Sequence, residues 1–311
     1  MSKIILNTFL IGALFLVTNC SGNKSVDLVE SWEIGTSSGI FVDFSQEEFY
    51  QAKKDGIACL ELSSRIFNDK TREESKELVR DIKRKADNAG LTIWSIHLPF
   101  SRKLDVSLDN NEDRNYMIEE CSRLMELCGP FNLKKFVIHP SSEPISDEER
   151  PVRLKNSIES LKVLSNEAKK YNAQLAVEDL PRTCLGNTSA ELLSIVKAVG
   201  NGIGICFDSN HMLQETPENF VSNAGNLIVT LHISDYDGVD ERHWLPGDGI
   251  INWTNVISEL VKCGYEGPFM FETSRRNPAL LTANEPVTAL KSKDLINCFQ
   301  ELKSNYLKSL K

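Results

Sequence analysis

The chain has 311 residues, of which 41% are hydrophobic and 25% are charged. This is an ordinary globular balance, and the length is enough for one large barrel or two smaller domains. The formal net charge is −9, and we find no basic run along the sequence. A phosphate backbone is repelled by such a surface, so composition argues against a nucleic-acid partner.

The segment 1–19 has the pattern of a bacterial export signal. Lys3 gives a positive start, 4–17 is a nearly unbroken apolar run too short for a typical membrane span, and Cys20 precedes a polar stretch. The segment resembles a lipobox, in which this cysteine carries the lipid, although Asn19 stands where lipoboxes have Gly, Ala or Ser. A plain N-terminal anchor and a soluble secreted protein are the alternatives.

We therefore predict a signal peptide over 1–19, lipidation of Cys20, a polar linker over 20–30 and a folded domain over 31–311. The protein would be an exported lipoprotein facing the periplasm or the cell surface, with its lipid as its contact with the membrane. Seven of the eight cysteines would then remain, and no CxxC motif occurs. We expect buried thiols, and one disulfide stays open as an alternative.

Short apolar runs and helical patterns alternate through the folded domain. The runs have the length and composition of strands that are covered on both faces. We predict eight strands: Trp32–Thr36, Ile57–Leu62, Leu91–Leu98, Lys135–His139, Ala173–Glu178, Ile203–Asp208, Ile228–Ile233 and Pro268–Glu272.

The polar segments between these strands have helical spacing, and several begin after Pro or end before Gly, as helices do. The predicted helices are Arg72–Asn88, Asp113–Cys128, Val152–Tyr171, Thr188–Val199, Pro217–Ala224, Trp253–Cys263 and Pro286–Leu307. Alternating strands and helices predict an α/β fold, a single-domain (β/α)₈ TIM barrel. A doubly wound open sheet is the competing fold, but no GxGxxG motif follows the first strand.

Six consecutive predicted strands end in a potential metal ligand. All strands of a barrel point the same way, so these side chains would meet at one rim, where barrel enzymes place their sites. A single strand-end carboxylate or histidine is more often a helix cap or a core residue, but six at equivalent positions predict a site. The six are His97, His139, Glu178, Asp208, His232 and Glu272.

This mixture of carboxylate and imidazole without thiolate favours Mn²⁺, Zn²⁺, Co²⁺ or Mg²⁺. The motifs that contain the last four residues resemble those of the xylose-isomerase-like barrels, which include sugar epimerases, hydroxypyruvate isomerases, inosose dehydratases and type IV AP endonucleases. The resemblance covers roughly residues 31–310. Its motifs are Val177–Asp179, Phe207–His211, Leu231–Asp235, Phe271–Glu272 and His243–Gly249.

The resemblance to the ketose epimerases of this family implies that Glu178, Asp208, His232 and Glu272 hold one divalent metal ion. It also implies that the two glutamates move the proton of the substrate carbon between them, and that His211 contacts a substrate oxygen. From its position at a strand end, Glu61 is a candidate for binding a sugar hydroxyl, with capping or a core hydrogen bond as an equal alternative.

The nuclease relatives use a larger ligand set, which here would add His97, His139, His211 and His243. Their Asp-x-His element corresponds to Glu241–His243 in this chain, so Glu takes the position of that Asp. The resemblance thus leaves a second metal open. DNA repair is a formal alternative that export and a net charge of −10, after removal of Lys3 with the signal, argue against.

The leading hypothesis is therefore a metal-dependent isomerase or epimerase of a sugar or sugar derivative, acting by proton abstraction next to a metal-bound carbonyl. Metal-assisted β-elimination on a 3-keto glycoside begins with the same proton removal and is the first alternative. A non-catalytic sugar-binding lipoprotein is an alternative of another class, but a pure binder needs no pair of bases across a metal. Each hypothesis implies a small carbohydrate as partner.

Overall fold

The computed structural model describes residues 20–200, 202–273, 275–281 and 289–311. The predicted signal peptide, 1–19, lies outside the described residues. Among the helices of those ranges, none has the length and apolar character that crossing a membrane requires.

Eight parallel strands form one sheet, as the sequence predicted. Most of their residues are buried, since the barrel interior covers one face and helices cover the other. Each observed strand overlaps its prediction, and the bounds differ by at most two residues. The strands are β1 (Ile34–Ser37), β2 (Cys59–Ser63), β3 (Thr92–His97), β4 (Lys135–Ile138), β5 (Gln174–Glu178), β6 (Ile203–Asp208), β7 (Ile228–His232) and β8 (Phe269–Phe271).

The sheet closes into a barrel between β7 and β8. The neighbours run in the order β7, β6, β5, β4, β3, β2, β1, β8, and an isolated parallel bridge joins Ile233 to Phe271. The Ile233 amide donates to the Met270 carbonyl at 2.9 Å, and the Glu272 amide donates to the Ile233 carbonyl at 3.0 Å. Closure therefore brings the end of the last strand, with Glu272, beside the end of β7, with His232.

Nine α-helices are present in the described ranges. Local signals explain their ends: the Thr71 side chain accepts from the Glu74 amide in a capping box, and Gly90 ends the same helix in the left-handed conformation. They are α1 (Cys20–Ser31), α2 (Gln46–Asp55), α3 (Arg72–Ala89), α4 (Asn111–Cys128), α5 (Arg150–Lys169), α6 (Ser189–Val199), α7 (Pro217–Ala224), α8 (Trp253–Lys262) and α9 (Ser292–Ser309).

The structure differs from the predicted helices in three places. Helix α2 was not predicted from the sequence, and the last helix begins at Ser292 rather than at Pro286, which lies outside the described residues. The segment 20–30 is not a linker, because it forms most of α1. Val29 in this helix is fully buried, and Glu30 forms an ion pair with Lys303 of α9 at 2.8 Å. Burial of the Val29 side chain holds this helix on the barrel, although the polar composition of the segment suggested a linker.

The seven cysteines whose side chains are described are free thiols, and six of them are buried. This confirms the expectation of buried thiols. Burial raises the pKa of Cys59 and Cys121 well above the ordinary thiol range, which makes these groups unreactive.

Candidate functional site

All five histidines of the chain lie at the carboxyl ends of the strands or in the loops that follow them. His97, Glu178, Asp208 and His232 are the last residues of β3, β5, β6 and β7, and the parallel register pairs Asp208 with His232. The strand ends therefore form one polar cluster above the apolar barrel.

The four residues proposed as metal ligands come together. Each of Glu178, Asp208, His232 and Glu272 offers one donor atom, and these four atoms lie within 4.8 Å of one another. His232 Nδ1 is 2.9 Å from Glu272 Oε2, 3.1 Å from Glu178 Oε1 and 4.0 Å from Asp208 Oδ2. We call this set the inner group, and its geometry is that of side chains converging on one small cation.

One buried oxygen provides a test of whether these residues fit a cation. Asp208 Oδ1 accepts from the Asn210 amide at 2.7 Å, but Asp208 Oδ2 is buried and has no hydrogen-bond partner in the described chain. Burying an unpartnered carboxylate oxygen is costly, whereas a bound cation would satisfy it. The inner group therefore fits a divalent metal.

Glu178 also faces a second set of ligands through its other oxygen. Glu178 Oε2 is 3.0 Å from His97 Nε2 and 3.2 Å from His139 Nε2, and the three residues form a second group with metal-ligand spacing. His97 Nδ1 lies 2.9 Å from the Leu98 carbonyl, which favours the tautomer with a free lone pair on Nε2. Glu178 therefore belongs to both groups and faces each of them with a different oxygen.

A third set, which we call the outer group, consists of His211, Glu241 and His243. His211 Nδ1 is 2.7 Å from the Asp179 carbonyl, so its Nε2 faces outward, 3.9 Å from Glu241 Oε2. The structure therefore brings all the histidines of the larger predicted ligand set together, and it places Glu241 with them.

Glu61 lies behind His232 and is not part of any of the three groups. Its side chain is 2% exposed, its Oε2 accepts from the Ser95 hydroxyl at 2.6 Å, and its Oε1 is 2.8 Å from His232 Nε2 without the alignment of a hydrogen bond. This position favours the core role over contact with a sugar hydroxyl. A carboxylate behind a ligating histidine orients the ring and raises its basicity.

The charges of the inner group are strongly coupled. Burial alone would raise the pKa of both glutamates, but the neighbouring His232 outweighs it, lowering the pKa of Glu178 well below its usual value and that of Glu272 to about 2. For Asp208, burial and the nearby Glu272 and Glu178 raise the pKa well above its usual value. Burial opposes a charge on His232, yet the neighbouring Cys206 and the carboxylates of Glu272, Glu61 and Glu178 raise its pKa well above 6.5. In the absence of a cation, the single positive charge of His232 offsets one of the two negative charges of Glu178 and Glu272.

Two residues that support the site were not singled out as site residues in the sequence. Asp179 Oδ1 accepts from the Asp208 amide at 2.8 Å. The Asn210 side-chain oxygen accepts from the amides of Arg242 and His243 at 2.8 and 3.1 Å, and so ties the loop after β7 to the end of β6. Both lie inside the quoted motifs Val177–Asp179 and Phe207–His211, so the motifs were the available signal.

These observations define a class: a parallel eight-stranded barrel with a carboxylate and histidine centre at the carboxyl ends of its strands. The family model for the xylose isomerase-like TIM barrel matches residues 49–294. The chain belongs to the xylose isomerase-like TIM barrel family.

Similar proteins agree with this assignment. The chain is 29% identical over 207 residues to an inosose isomerase of Bacillus velezensis, covering 62% of this chain and 73% of the relative. It is also 29% identical over 217 residues to an uncharacterized protein of Methanocaldococcus jannaschii, covering 67% of this chain and 70% of the relative.

Among solved structures, a D-tagatose 3-epimerase-like protein has a TM-score of 0.73 at 22% identity, covering 90% of this chain and 100% of that one. A 3-keto-D-glucoside 4-epimerase from E. coli has a TM-score of 0.67 at 18% identity, covering 88% of this chain and 99% of that one. At these identities the likeness establishes the shared fold.

Proposed function

We propose that the protein is a divalent-metal-dependent isomerase or epimerase of a sugar or sugar derivative. The observation that carries this proposal is the buried, unpartnered Asp208 Oδ2 within a group of four converging ligands. The names of the inosose isomerase and epimerase relatives support a sugar substrate. Mn²⁺, Zn²⁺, Co²⁺ and Mg²⁺ all suit the donor set.

The metal would be held by Glu178, Asp208, His232 and Glu272. The two glutamates would also transfer the proton of the substrate carbon. When bound, the metal polarises a substrate carbonyl and acidifies the neighbouring C–H. The lowered pKa values of Glu178 and Glu272 keep both carboxylates ionised and able to accept a proton. Glu272 is 27% exposed and faces the mouth more than Glu178, which is 2% exposed. Return of the proton to the neighbouring carbon, with the hydroxyl proton passing to the former carbonyl oxygen, gives isomerisation. Return of a proton to the same carbon from the opposite face, by the other carboxylate, gives epimerisation.

The test follows hydrogen exchange in heavy water. Metal-loaded protein is incubated with a panel of ketoses and 3-keto glycosides, and deuterium uptake and aglycone release are measured. We expect Glu178→Gln and Glu272→Gln each to reduce exchange by at least about a hundredfold. Glu126→Gln, on a 63% exposed side chain far from the strand ends, is the matched control. Full exchange in both active-site variants, or in metal-free protein, would contradict the proposal.

The same assay separates the alternatives. Deuterium uptake without release indicates an isomerase or epimerase, release of the aglycone indicates a 3-keto-glycoside lyase, and binding with neither indicates a sugar-binding protein. The three ligand groups also resemble a nuclease set, but the net charge of −9 disfavours a DNA partner.

We also propose that the protein is exported and anchored by a lipid on Cys20. The support is the sequence alone: the positive start, the apolar run over 4–17 and the cysteine that follows. An exported enzyme would meet glycans and glycosides rather than sugar phosphates.

A further inference from the structure

Arg182 joins three loops at the mouth of the barrel. It lies in the loop after β5, and its Nε is 2.8 Å from Oε1 of Glu143 in the loop after β4. Nη1 and Nη2 reach the loop after β7, at 2.6 Å from Asp240 Oδ1 and 2.7 Å from Glu241 Oε1. The Arg182 guanidinium therefore binds carboxylates from two other loops. One of these carboxylates, Glu241, belongs to the outer group.

The backbone of Arg182 is fixed in an unusual conformation. Its φ is +51°, in the left-handed region that few residues other than glycine adopt. The Asn187 side chain donates to the Arg182 carbonyl at 2.6 Å, which holds the turn in place. Strained conformations of this kind persist where surrounding contacts impose them, commonly at functional sites.

The two oxygens of Glu241 have separate tasks in this arrangement. Oε1 is bound by Arg182, and Oε2 points toward the outer group, 3.9 Å from His211 Nε2. The Glu241 side chain is 27% exposed and has three rotatable bonds, so it needs an external contact to keep one direction. Arg182 provides that contact through a single charge-assisted interaction, from Nη2 to Oε1 at 2.7 Å.

The charge balance permits a cation beside the guanidinium. Arg182 carries one positive charge, while Glu143, Asp240 and Glu241 carry three negative charges. The cluster therefore remains negative, and the arginine does not reverse the attraction for a metal.

We propose that Arg182 is a positioning residue that holds Glu241 as a ligand for a second divalent cation, shared with His211 and His243. This inference rests on the proposed metal dependence of the inner group. Partners behind a metal ligand typically contribute 10- to 100-fold to metal affinity. We expect the outer cation to lose about that factor when Arg182 is replaced.

The test is a Zn²⁺ titration of the full chain with a competing chelator, and with metal content measured by mass spectrometry after dialysis. Wild-type protein should bind an inner cation, lost in Asp208→Asn, and an outer cation, lost in Glu241→Gln. Arg182→Gln should weaken the outer cation by about 10- to 100-fold and leave the inner one within about twofold. Arg182→Gln combined with Glu241→Gln should lose no more outer binding than Glu241→Gln alone, because Arg182 acts on the outer cation only through Glu241.

Asp240→Asn is the matched control, because it removes one arm of the arginine contacts and leaves Glu241 bound; its outer affinity should stay within about twofold of wild type. Arg182→Lys keeps the charge but not the fork, so it should restore outer binding only in part and serves if the glutamine variant does not fold. Unchanged outer affinity in both variants, equal loss at both cations, or no outer cation in wild type overturns the inference while leaving the proposed function standing. Absence of the inner cation contradicts the proposed function itself.

Discussion

His232 has a carboxylate near each of its ring nitrogens. Glu178 and Glu272 lie near Nδ1, and Glu61 lies 2.8 Å from Nε2. The Nδ1 side faces the inner group, so Nδ1 is the nitrogen available to a metal, and Glu61 is the residue that orients the ring from behind. We therefore expect the Glu61 charge to influence how well His232 can bind a metal, although Glu61 lies outside the inner group.

Glu61→Gln should therefore weaken binding of the inner cation by about 10- to 100-fold without unfolding the barrel. Glutamine still accepts from the Ser95 hydroxyl, so the change removes the charge behind His232 and keeps the packing. Isothermal titration with Mn²⁺ measures the affinity, and circular dichroism checks the fold. Ser95→Ala, which leaves the carboxylate in place, is the control and should have a smaller effect. An affinity equal to wild type in Glu61→Gln would assign Glu61 no role in orienting the histidine.

Metal binding at the inner group should release a proton at neutral pH. The pKa of His232 is raised well above 6.5 because Cys206 and the surrounding carboxylates together outweigh burial, so the ring stays protonated in the metal-free protein until pH exceeds that raised value. The stabilisation from this ion pair is complete below 6.5 and is lost as pH rises through the raised pKa.

Because the cation must displace this proton, its affinity should rise about tenfold per pH unit below the raised pKa and level off above it. Titrations at one pH in buffers of different ionisation enthalpy count the protons, and we expect at least one per cation, because the pKa of Asp208 is raised as well as that of His232. A pH-independent affinity between pH 6 and 8, with no proton released, would show that His232 is neutral before the metal arrives.

At the scale of elements, the carboxyl ends of the strands could be predicted from the sequence better than helix α1, which precedes them in the chain. Strands β5, β6 and β7 each end at a polar residue that follows a buried apolar run. The hydrophobic pattern and the residue type therefore both indicate where these strands end. Helix α1 was missed because its composition is polar and one buried contact, at Val29, fixes it to the barrel. Such tertiary contacts leave no periodic signal in the sequence.

The candidate site shows the same division. The convergence of the inner group could be predicted because each of its residues ends a strand or directly follows one, and closure of a barrel brings strand ends together. Arg182 and Glu61 could not be assigned roles, since these depend on side-chain directions in loops and behind the ligands. Residue type and spacing are enough to locate the site in the sequence. The contacts that support the site can be identified only in the folded structure.

The loops after β3 and β4 are joined by a buried ion pair. Arg153 Nη2 of α5 is 2.6 Å from Asp105 Oδ2, and these side chains are 10% and 1% exposed. Asp105 also accepts from the amides of Ser107 and Ser142, both at 2.7 Å. The ion pair therefore fixes the two loops that follow His97 and His139.

Arg153→Met should destabilise the protein by about 3–5 kcal/mol, because it leaves the buried Asp105 carboxylate without its cation. Urea unfolding followed by fluorescence gives the free energy of unfolding. Arg72→Met, which breaks the Arg72–Glu126 pair with both side chains 63% exposed, is the matched control and should change stability by less than about 1 kcal/mol. Equal effects of the two changes would mean that burial does not set the strength of the Arg153 pair.

At the scale of the whole molecule, α1 determines how an anchored barrel would sit near a membrane. The helix has 12 residues and a length of about 18 Å, and it is docked on the barrel through Val29 and the Glu30–Lys303 pair. A lipid on Cys20 would therefore be attached through a packed helix rather than through a flexible chain. The barrel would be held close to the membrane surface.

Cys20→Ala should move the protein from the detergent phase to the aqueous phase in a phase-partition experiment on the expressed full chain, because one side chain would carry the lipid. Its thermal midpoint should stay within about 2 °C of that of wild type, since the helix contacts that fix α1 lie near its other end. Cys263→Ala, which removes a partly exposed thiol elsewhere, is the matched control and should remain in the detergent phase. If wild type and Cys20→Ala partition alike, the docked helix is a structural part of the barrel and carries no lipid.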